Sequence, residues 1–362
     1  SVNHAEQAVE LRVFGAAGTG KTEYLSREVE RAAAKYGAGN ILVSSFTKAA
    51  TAELTKRISL PRSQLGTLHA HAYRSLDCPK IAEGMLKEWN ETHPKATLGT
   101  GAADVDEPYG VESDGIDSAG SMFSDMQILR AKMTPVEQWP LDIQTLYTEW
   151  CRWKTENDCV DFTDLIEIAL RDVSCAPGQP TIGVFDETQD FSPLELSLVR
   201  KWCKEMQYYV LAGDDDQCIY TFAGATPESF LNPQIPDDHI RVLSQSYRLP
   251  RVVYRLAENI VHTLERRQPK AYRPTDNEGS VTLSGATWKR PKALLSSACG
   301  RLREHVANGE ACMILAACSY MLGPTLNMLR EHGIPFHNPW RKKRGDWNPL
   351  RHSSERFTSS ID

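Results

Sequence analysis

The apolar positions of this chain fall into short continuous runs separated by stretches with helical spacing. Leu11-Arg12-Val13-Phe14, Ile41-Leu42-Val43, Thr181-Ile182-Gly183-Val184-Phe185, Tyr208-Tyr209-Val210-Leu211-Ala212 and His239-Ile240-Arg241-Val242-Leu243 have the length and the β-branched or aromatic content of buried strands. Between them, Lys21 to about Tyr36, Thr47 to Ile58 and residues 250–264 read as helices. Ser192-Pro193-Leu194-Glu195 is a capping box with proline at the first helical position. Strands and helices in alternation predict an α/β fold with a parallel sheet.

The pattern changes over residues 77–150. Ile81–Trp89 and Leu141–Trp153 read as helices, and Asp104, Asp106, Glu107, Glu112, Asp114 and Asp117 crowd among glycines and serines. That acidic stretch reads as a solvated loop, because its spacing lacks the order of a calcium loop. An inserted, mostly helical subdomain over 75–155 is expected. Gln268–Glu278 has linker composition, and Val281-Thr282-Leu283 and Ala311-Cys312-Met313-Ile314-Leu315 read as strands of a second α/β pattern.

Composition narrows the classes. Hydrophobic content of 41% and charged content of 24% are those of a globular protein. No run approaches the ~20 apolar residues of a membrane span, so no membrane partner is expected. The first residues show neither a basic nor an apolar signal region, and the nine cysteines form no C-x-x-C pair. A reducing, cytoplasmic setting is the expectation. A net charge of −6 argues against wholesale coating of nucleic acid and leaves room for a local aromatic or basic groove.

The chemistry begins at Gly15-Ala16-Ala17-Gly18-Thr19-Gly20-Lys21-Thr22, which fits the phosphate-loop pattern G-x-x-x-x-G-K-[ST] between a strand and a helix. The glycines admit a polyphosphate to the backbone, and the loop N–H groups with the helix N-terminus supply positive potential. Lys21 would reach the β and γ phosphates of a nucleotide, and Thr22 would hold Mg²⁺. A second block, Asp186-Glu187-Thr188-Gln189-Asp190, ends an apolar strand, where the ligand crevice of such sheets lies. Asp186 can share the Mg²⁺, and Glu187 can accept a proton from an attacking water. A third block runs from Gly213-Asp214-Asp215-Asp216-Gln217 to Ala225; Gln217 can read a γ-phosphate or its water. Tyr220 and Phe222 share one face if the segment is extended, either to stack on bases or to pack in the core. A fourth, Gln245-Ser246-Tyr247-Arg248, follows a strand end, and Arg248 is either a transition-state finger or a surface ion pair.

Taken in order with Ser45-Phe46-Thr47-Lys48-Ala49-Ala50, Gly66-Thr67-Leu68-His69 and Asp161-Phe162-Thr163-Asp164-Leu165, these blocks resemble a superfamily 1 DNA helicase of the UvrD/Rep/PcrA type. The resemblance covers most of residues 9–260. It implies a RecA-like P-loop domain from 1–74 and 156–243, the insertion at 75–155, and a partial second RecA-like domain over 244–362. It implies ATP-driven 3′-to-5′ movement along single-stranded or partly duplex DNA. By matching position, Gln189 would couple nucleotide state to DNA grip and Tyr247 would stack on adenine. Phe46, Thr67, His69, Tyr220 and Phe222 would line the strand path.

The sequence departs from the family at Thr188 (usually Ala), Glu23 (often Arg), Phe222 (commonly Trp) and Ala223 (commonly Arg), and Gln7 only loosely matches the adenine-reading glutamine. Two motifs of the second RecA-like domain, one carrying a further arginine finger, are not found before Asp362. Arg341-Lys342-Lys343-Arg344 reads as a solvated loop or a phosphate contact. The expectation is therefore the N-terminal part of a helicase, with a C-terminal half or partner chain elsewhere. A nucleotide- and DNA-binding fragment with little turnover is the alternative, and a P-loop NTPase unrelated to DNA is a third.

Overall fold

The computed structural model describes residues 8–46, 60–94, 96–98, 118–283, 301–302, 304–316, 319–334 and 336. It forms two compact units, Ser1–Ser280 and Val281–Asp362. The first is built on β1 (Val9–Gly15), β2 (Ile41–Ser45), β3 (Leu65–Thr67), β4 (Ile182–Asp186), β5 (Tyr208–Gly213) and β6 (Ile240–Leu243). These pair in the order β3-β2-β4-β5-β1-β6, and every pairing is parallel. The α/β parallel sheet expected from the alternation of runs is therefore present.

Parallel sheets covered on both faces need apolar residues at successive positions, and the period of two divides them between the faces. Phe14, Leu42, Phe185 and Leu211 enter one core beside α2 (Leu68–Ser75), α6 (Phe162–Asp172) and α7 (Pro193–Cys203). Val13, Ile41, Val43, Val184, Val210 and Ala212 enter the other beneath α1 (Lys21–Tyr36), which contributes Leu25, Val29 and Ala32. The Ser192 cap is formed on both sides: its hydroxyl accepts from Glu195 N, and Glu195 Oε2 accepts from Ser192 N at 2.8 Å. Further helices among the described residues of the first unit are α3 (Leu86–Thr92), α4 (Ser118–Ala131), α5 (Leu141–Glu156), α8 (Pro227–Leu231) and α9 (Arg251–Val261).

The helices α3–α5 have their own core. Trp150 stacks on Trp153 with ring centres 5.2 Å apart, and Trp89 meets both edge-on. Ile81 bridges to Val160 where the chain leaves and re-enters, closing the neck of the insertion. The predicted Ile81–Trp89 helix starts late: Ala82–Met85 is a 3₁₀ turn, and α3 begins only at Leu86. Ala82 N is committed to Val160 O at 2.8 Å, and Gly84 is a poor helix former. The predicted helix Thr47–Ile58 and the acidic stretch 104–117 lie outside the described residues.

Behind that neck sits a buried ion network. Asp161 caps α6, and its Oδ2 accepts from Arg130 Nη1 at 2.7 Å, Trp150 Nε1 at 2.7 Å and Lys154 Nζ at 2.8 Å. Burial pushes the Asp161 carboxyl up, but Arg130 and Lys154 outweigh it and hold the group well below the ordinary carboxylate range. Glu83 lies beside it with Oε1 accepting from Phe162 N and Oε2 unpartnered, and burial together with the Asp161 charge pushes it up to about 8. The folded protein therefore holds a proton on Glu83 that the unfolded chain releases near its ordinary value of 4.5. Its contribution is full below that value and is lost as the pH rises through 8. Glu83→Gln, which cannot ionise, is expected to melt like the wild type at pH 5 and above it at pH 9. Parallel pH–melting curves for the two proteins would refute the buried neutral acid.

Two other readings are corrected. Residues 281–283 and 311–315 form no strand, and Leu283, Met313 and Leu315 are exposed. An apolar run needs a partner ladder to become a strand, and none pairs with them among the described residues. Gln268–Glu278 is no free linker. It packs back on the sheet's edge, with Arg273 N donating to Ser244 O at 2.7 Å and Arg251 N donating to Asn277 O at 2.9 Å. In the second unit, a helix over Gly323–Glu331 buries Leu326, Met328 and Leu329.

Candidate active site at the carboxyl edge of the sheet

β1, β5 and β4 lie side by side, so their carboxyl ends present three loops within about 10 Å, two strand spacings. The loop after β1 is the phosphate loop. Gly18 and Gly20 take φ of 74° and 80°, which non-glycine residues rarely adopt. A Cβ on Gly15 would lie 2.5 Å from Thr19 Oγ1, and one on Gly18 would lie 2.4 Å from Arg248 Cβ. Ala16 O accepts from Thr19 N at 3.2 Å and from Thr19 Oγ1 at 2.8 Å, closing the turn, and α1 starts at Lys21 with Gly20 as its cap. A helix of this length directs its N-terminal N–H groups and positive potential into the loop. Lys21 Nζ donates to Gly15 O at 3.0 Å and lies 3.7 Å from Glu187 Oε2. The cation and the predicted base thus converge. Thr22, the predicted partner of Mg²⁺, occupies the first turn of α1.

The loop after β4 carries the acids. Asp186 ends the strand, 3% exposed, and its Oδ1 accepts from Glu187 N at 2.9 Å. Burial first, and the neighbouring Glu187 charge second, push Asp186 up to about 6 against the pull of Lys21. A buried carboxylate crowded by another negative charge is stabilised by a cation, so Asp186 suits a divalent metal. Glu187 has φ 52°, which turns its carboxylate out of the strand direction and toward Lys21. Asp190 is also pushed up, to about 7, by burial and by Glu187.

Gln189 joins this loop to the one after β5. Its Nε2 donates to Glu187 Oε2 at 2.9 Å, and its Oε1 accepts from Asp214 N at 3.0 Å. A Cβ at Gly213 would lie 2.3 Å from that Oε1, so a side chain there would displace the Gln189 amide from its bond to Asp214. Gln217 Nε2 in turn donates to Asp214 Oδ2 at 2.5 Å. The fourth block rests on the phosphate loop itself. Ser246 Oγ donates to Ala17 O at 3.0 Å, and Tyr247 N donates to Gly18 O at 2.8 Å. Tyr247, 77% exposed, and Arg248 face solvent at the rim. Lys21, Glu187, Gln189, Gln217, Tyr247 and Arg248, scattered through the sequence, thus form one connected edge.

The residues expected on a DNA path divide in two. Phe46, Thr67 and His69 are buried. Thr67 caps α2 by accepting from Ala70 N, and His69 Nδ1 lies 3.6 Å from Glu195 Oε1 in a site where burial pushes the imidazole down to about 3. All three side chains are thus turned inward in this conformation and are not exposed as the strand-path reading expected. Tyr220 rests on Phe46 with ring centres 4.7 Å apart, and Phe222, 63% exposed, lies 5.4 Å from Tyr220. The backbone between them is a 3₁₀ turn, not the extended segment read from spacing, yet the rings still adjoin.

Sequence reasoning missed the cations opposite the aspartates. Lys270 reaches Asp214, Asp215 and Asp216, and Arg267 holds Asp216 through two bonds of 2.7 Å. No local pattern marks them, since the pairing spans more than fifty residues.

Residues 2–235 match the model of the UvrD/REP helicase N-terminal domain. The chain is 26% identical over 284 residues to the ATP-dependent DNA helicase UvrD2 of Mycobacterium tuberculosis, covering 69% of this chain and 41% of that protein. It is 23% identical over 315 residues to the ATP-dependent DNA helicase PcrA of Bacillus subtilis, covering 74% of this chain and 40% of that protein. It thus spans about two fifths of the length of these relatives. A phosphate loop, an acidic strand end and a glutamine-linked third loop on one parallel sheet are what that shared N-terminal region would need to bind a nucleotide, and with the match covering most of its residues this chain belongs to the UvrD/REP helicase family.

Proposed function

We propose that the chain binds Mg²⁺–ATP at this edge and hydrolyses it to drive 3′-to-5′ movement along single-stranded or partly duplex DNA. The approach of Lys21 to Glu187, with Gln189 tying Glu187 to the γ-phosphate-side loop, carries the reading. The phosphates lie in the Gly15–Gly20 cradle with Lys21 on the β and γ groups. Thr22 and Asp186 hold Mg²⁺, which neutralises phosphate charge when bound. Glu187 orients a water and takes its proton as the water oxygen bonds to the γ-phosphorus and the bond to the ADP oxygen breaks. Gln217 senses the γ-phosphate, Arg248 stabilises the charge of the transferring group, and Tyr247 stacks on the adenine. The setting is cytoplasmic. No helix among the described residues is long and apolar enough to cross a membrane.

DNA is gripped without sequence preference by Tyr220 and Phe222, with Phe46 packed behind Tyr220 and Thr67 and His69 buried nearby in the chain. Stacking of a base on an aromatic ring contributes about 1–3 kcal/mol. Oligo(dT) is expected to stimulate ATP hydrolysis, and Phe222→Ala to raise the oligo(dT) concentration for half-stimulation while leaving unstimulated turnover unchanged. Hydrolysis indifferent to oligo(dT), in a protein that binds it, would favour the second reading: a nucleotide- and DNA-binding fragment that needs a further arginine for turnover. The two-fifths coverage of the relatives is the observation behind that alternative.

A further inference from the structure

All three aspartates after β5 are occupied from one side. Lys270, its side chain 0% exposed, places its ammonium 2.9 Å from Asp214 Oδ1 and 2.9 Å from Asp216 Oδ2, with Asp215 against it as well. Arg267 forms a fork on Asp216, and Gln268 N donates to Asp215 Oδ2 at 2.7 Å. Burial pulls the Lys270 ammonium down, but Asp214 and Asp215 outweigh it and hold the group above its ordinary value. Replacing a buried ion cluster by apolar packing is often neutral or stabilising, and fixing a register or a switch is the best-attested use of such a cluster.

The connections of this cluster give it a task. Asp214 is shared four ways: Oδ1 takes Lys270 and Asp216 N, Oδ2 takes Gln217, and its N–H holds Gln189 and through it Glu187. A γ-phosphate that draws the Gln217 amide off Asp214 Oδ2 frees that oxygen of its glutamine partner. The carboxylate is then left to Lys270 and the Asp216 amide, both on Oδ1. The segment carrying Lys270 then pairs with the strand leading to the arginine: Arg273 N donates to Ser244 O at 2.7 Å, and Ser246 N donates to Arg273 O at 2.9 Å. Ser246 Oγ bonds Ala17 O and accepts from the N–H groups of Arg248 and Leu249.

We propose that Lys270 is a positioning residue that couples Gln217 to the Ser246–Arg248 turn, so that a γ-phosphate at one end of the clasp resets the arginine at the other. The inference rests on the ATPase reading above. It assigns Lys270 no contact with nucleotide.

The test compares Mg²⁺–ADP with Mg²⁺–AMP-PNP, which retains a γ-phosphoryl group. Lys270→Met is expected to weaken AMP-PNP about tenfold, within the usual span of coupled sites, while ADP binding stays within about twofold. Lys270→Arg, which keeps the cation, should recover most of that difference, and Lys270→Met added to Gln217→Ala should cost nothing further. Should Lys270→Met fold poorly, hydrogen exchange on the wild type serves instead. The amides of Gln268 and Arg273 should exchange at different rates with AMP-PNP than with ADP. An unchanged AMP-PNP to ADP ratio in Lys270→Met, or identical exchange with both nucleotides, in a protein that binds ATP, overturns the coupling alone. A wild type that binds neither nucleotide overturns the ATPase reading and the coupling with it.

Discussion

Glu187→Gln is expected to bind Mg²⁺–ATP about as tightly as the wild type and to lose turnover by about 10²–10⁴, the usual contribution of a general base. Glutamine has the same shape, and its amide oxygen can still accept from Gln189, so the link to Asp214 survives. What is lost is a group able to take a proton. Removing the charge also relieves the second cause that pushes up Asp186 and Asp190, so metal binding should hold to lower pH in the variant. Lys21→Ala differs in kind. It removes the cation from the loop and leaves the phosphates facing Glu187, 37% exposed, with no opposing charge from that side chain. Binding itself should fail. Equilibrium nucleotide binding and single-turnover hydrolysis separate the variants. Wild-type turnover in Glu187→Gln would remove this carboxylate from the chemistry.

Arg130→Met should destabilise the first unit by about 3–5 kcal/mol, the cost of leaving a buried charge without its partner. Arg130 is 1% exposed and holds three carboxylates at once: Asp161 at 2.7 Å, Asp164 at 2.6 Å and Glu167 at 2.7 Å. Without it, all three lose a shared guanidinium, and Asp161 and Asp164 must share the single cation of Lys154, Asp161 also keeping Trp150. Against a typical total of 5–15 kcal/mol, this is a large share, and a melting temperature lower by many degrees should report it. Arg171→Ala is the internal control. Arg171 pairs with Asp172 at the surface, where water screens both, so its melting curve should overlay the wild type. Equal melting of Arg130→Met and the wild type would show that Asp161 is satisfied by other means.

The same network shows how far a linear pattern carries. Asp161-Phe162-Thr163-Asp164 is legible as a capping box of the kind seen at Ser192, because both partners lie within one helical turn. Arg130, more than thirty residues upstream and on another helix, is not. At Tyr220 and Phe222 the spacing suggested an extended segment, whereas a 3₁₀ turn brings the rings together. At Leu283 and Leu315 apolar runs suggested strands that have no neighbour to pair with among the described residues. Phe46, Thr67 and His69 matched by position, yet their burial depends on tertiary packing, such as that which brings Glu195 of α7 to His69.

Local chemistry alone determined the strand runs, the phosphate-loop turn with its glycines at positive φ, the helix from Lys21 to Tyr36 and the acidic strand end. Each depends on neighbours within a few residues, where torsional sterics, side-chain period and capping decide the outcome. The tertiary structure alone decided that β4 and β5 carry Glu187 to Lys21, that Gln189 spans the gap between them, and that a polar stretch read as linker returns Lys270 to three aspartates. Those pairings join residues far apart in the chain. Nothing local distinguishes a lysine that will be buried against carboxylates from one that stays in water until the strand order has set which loops meet.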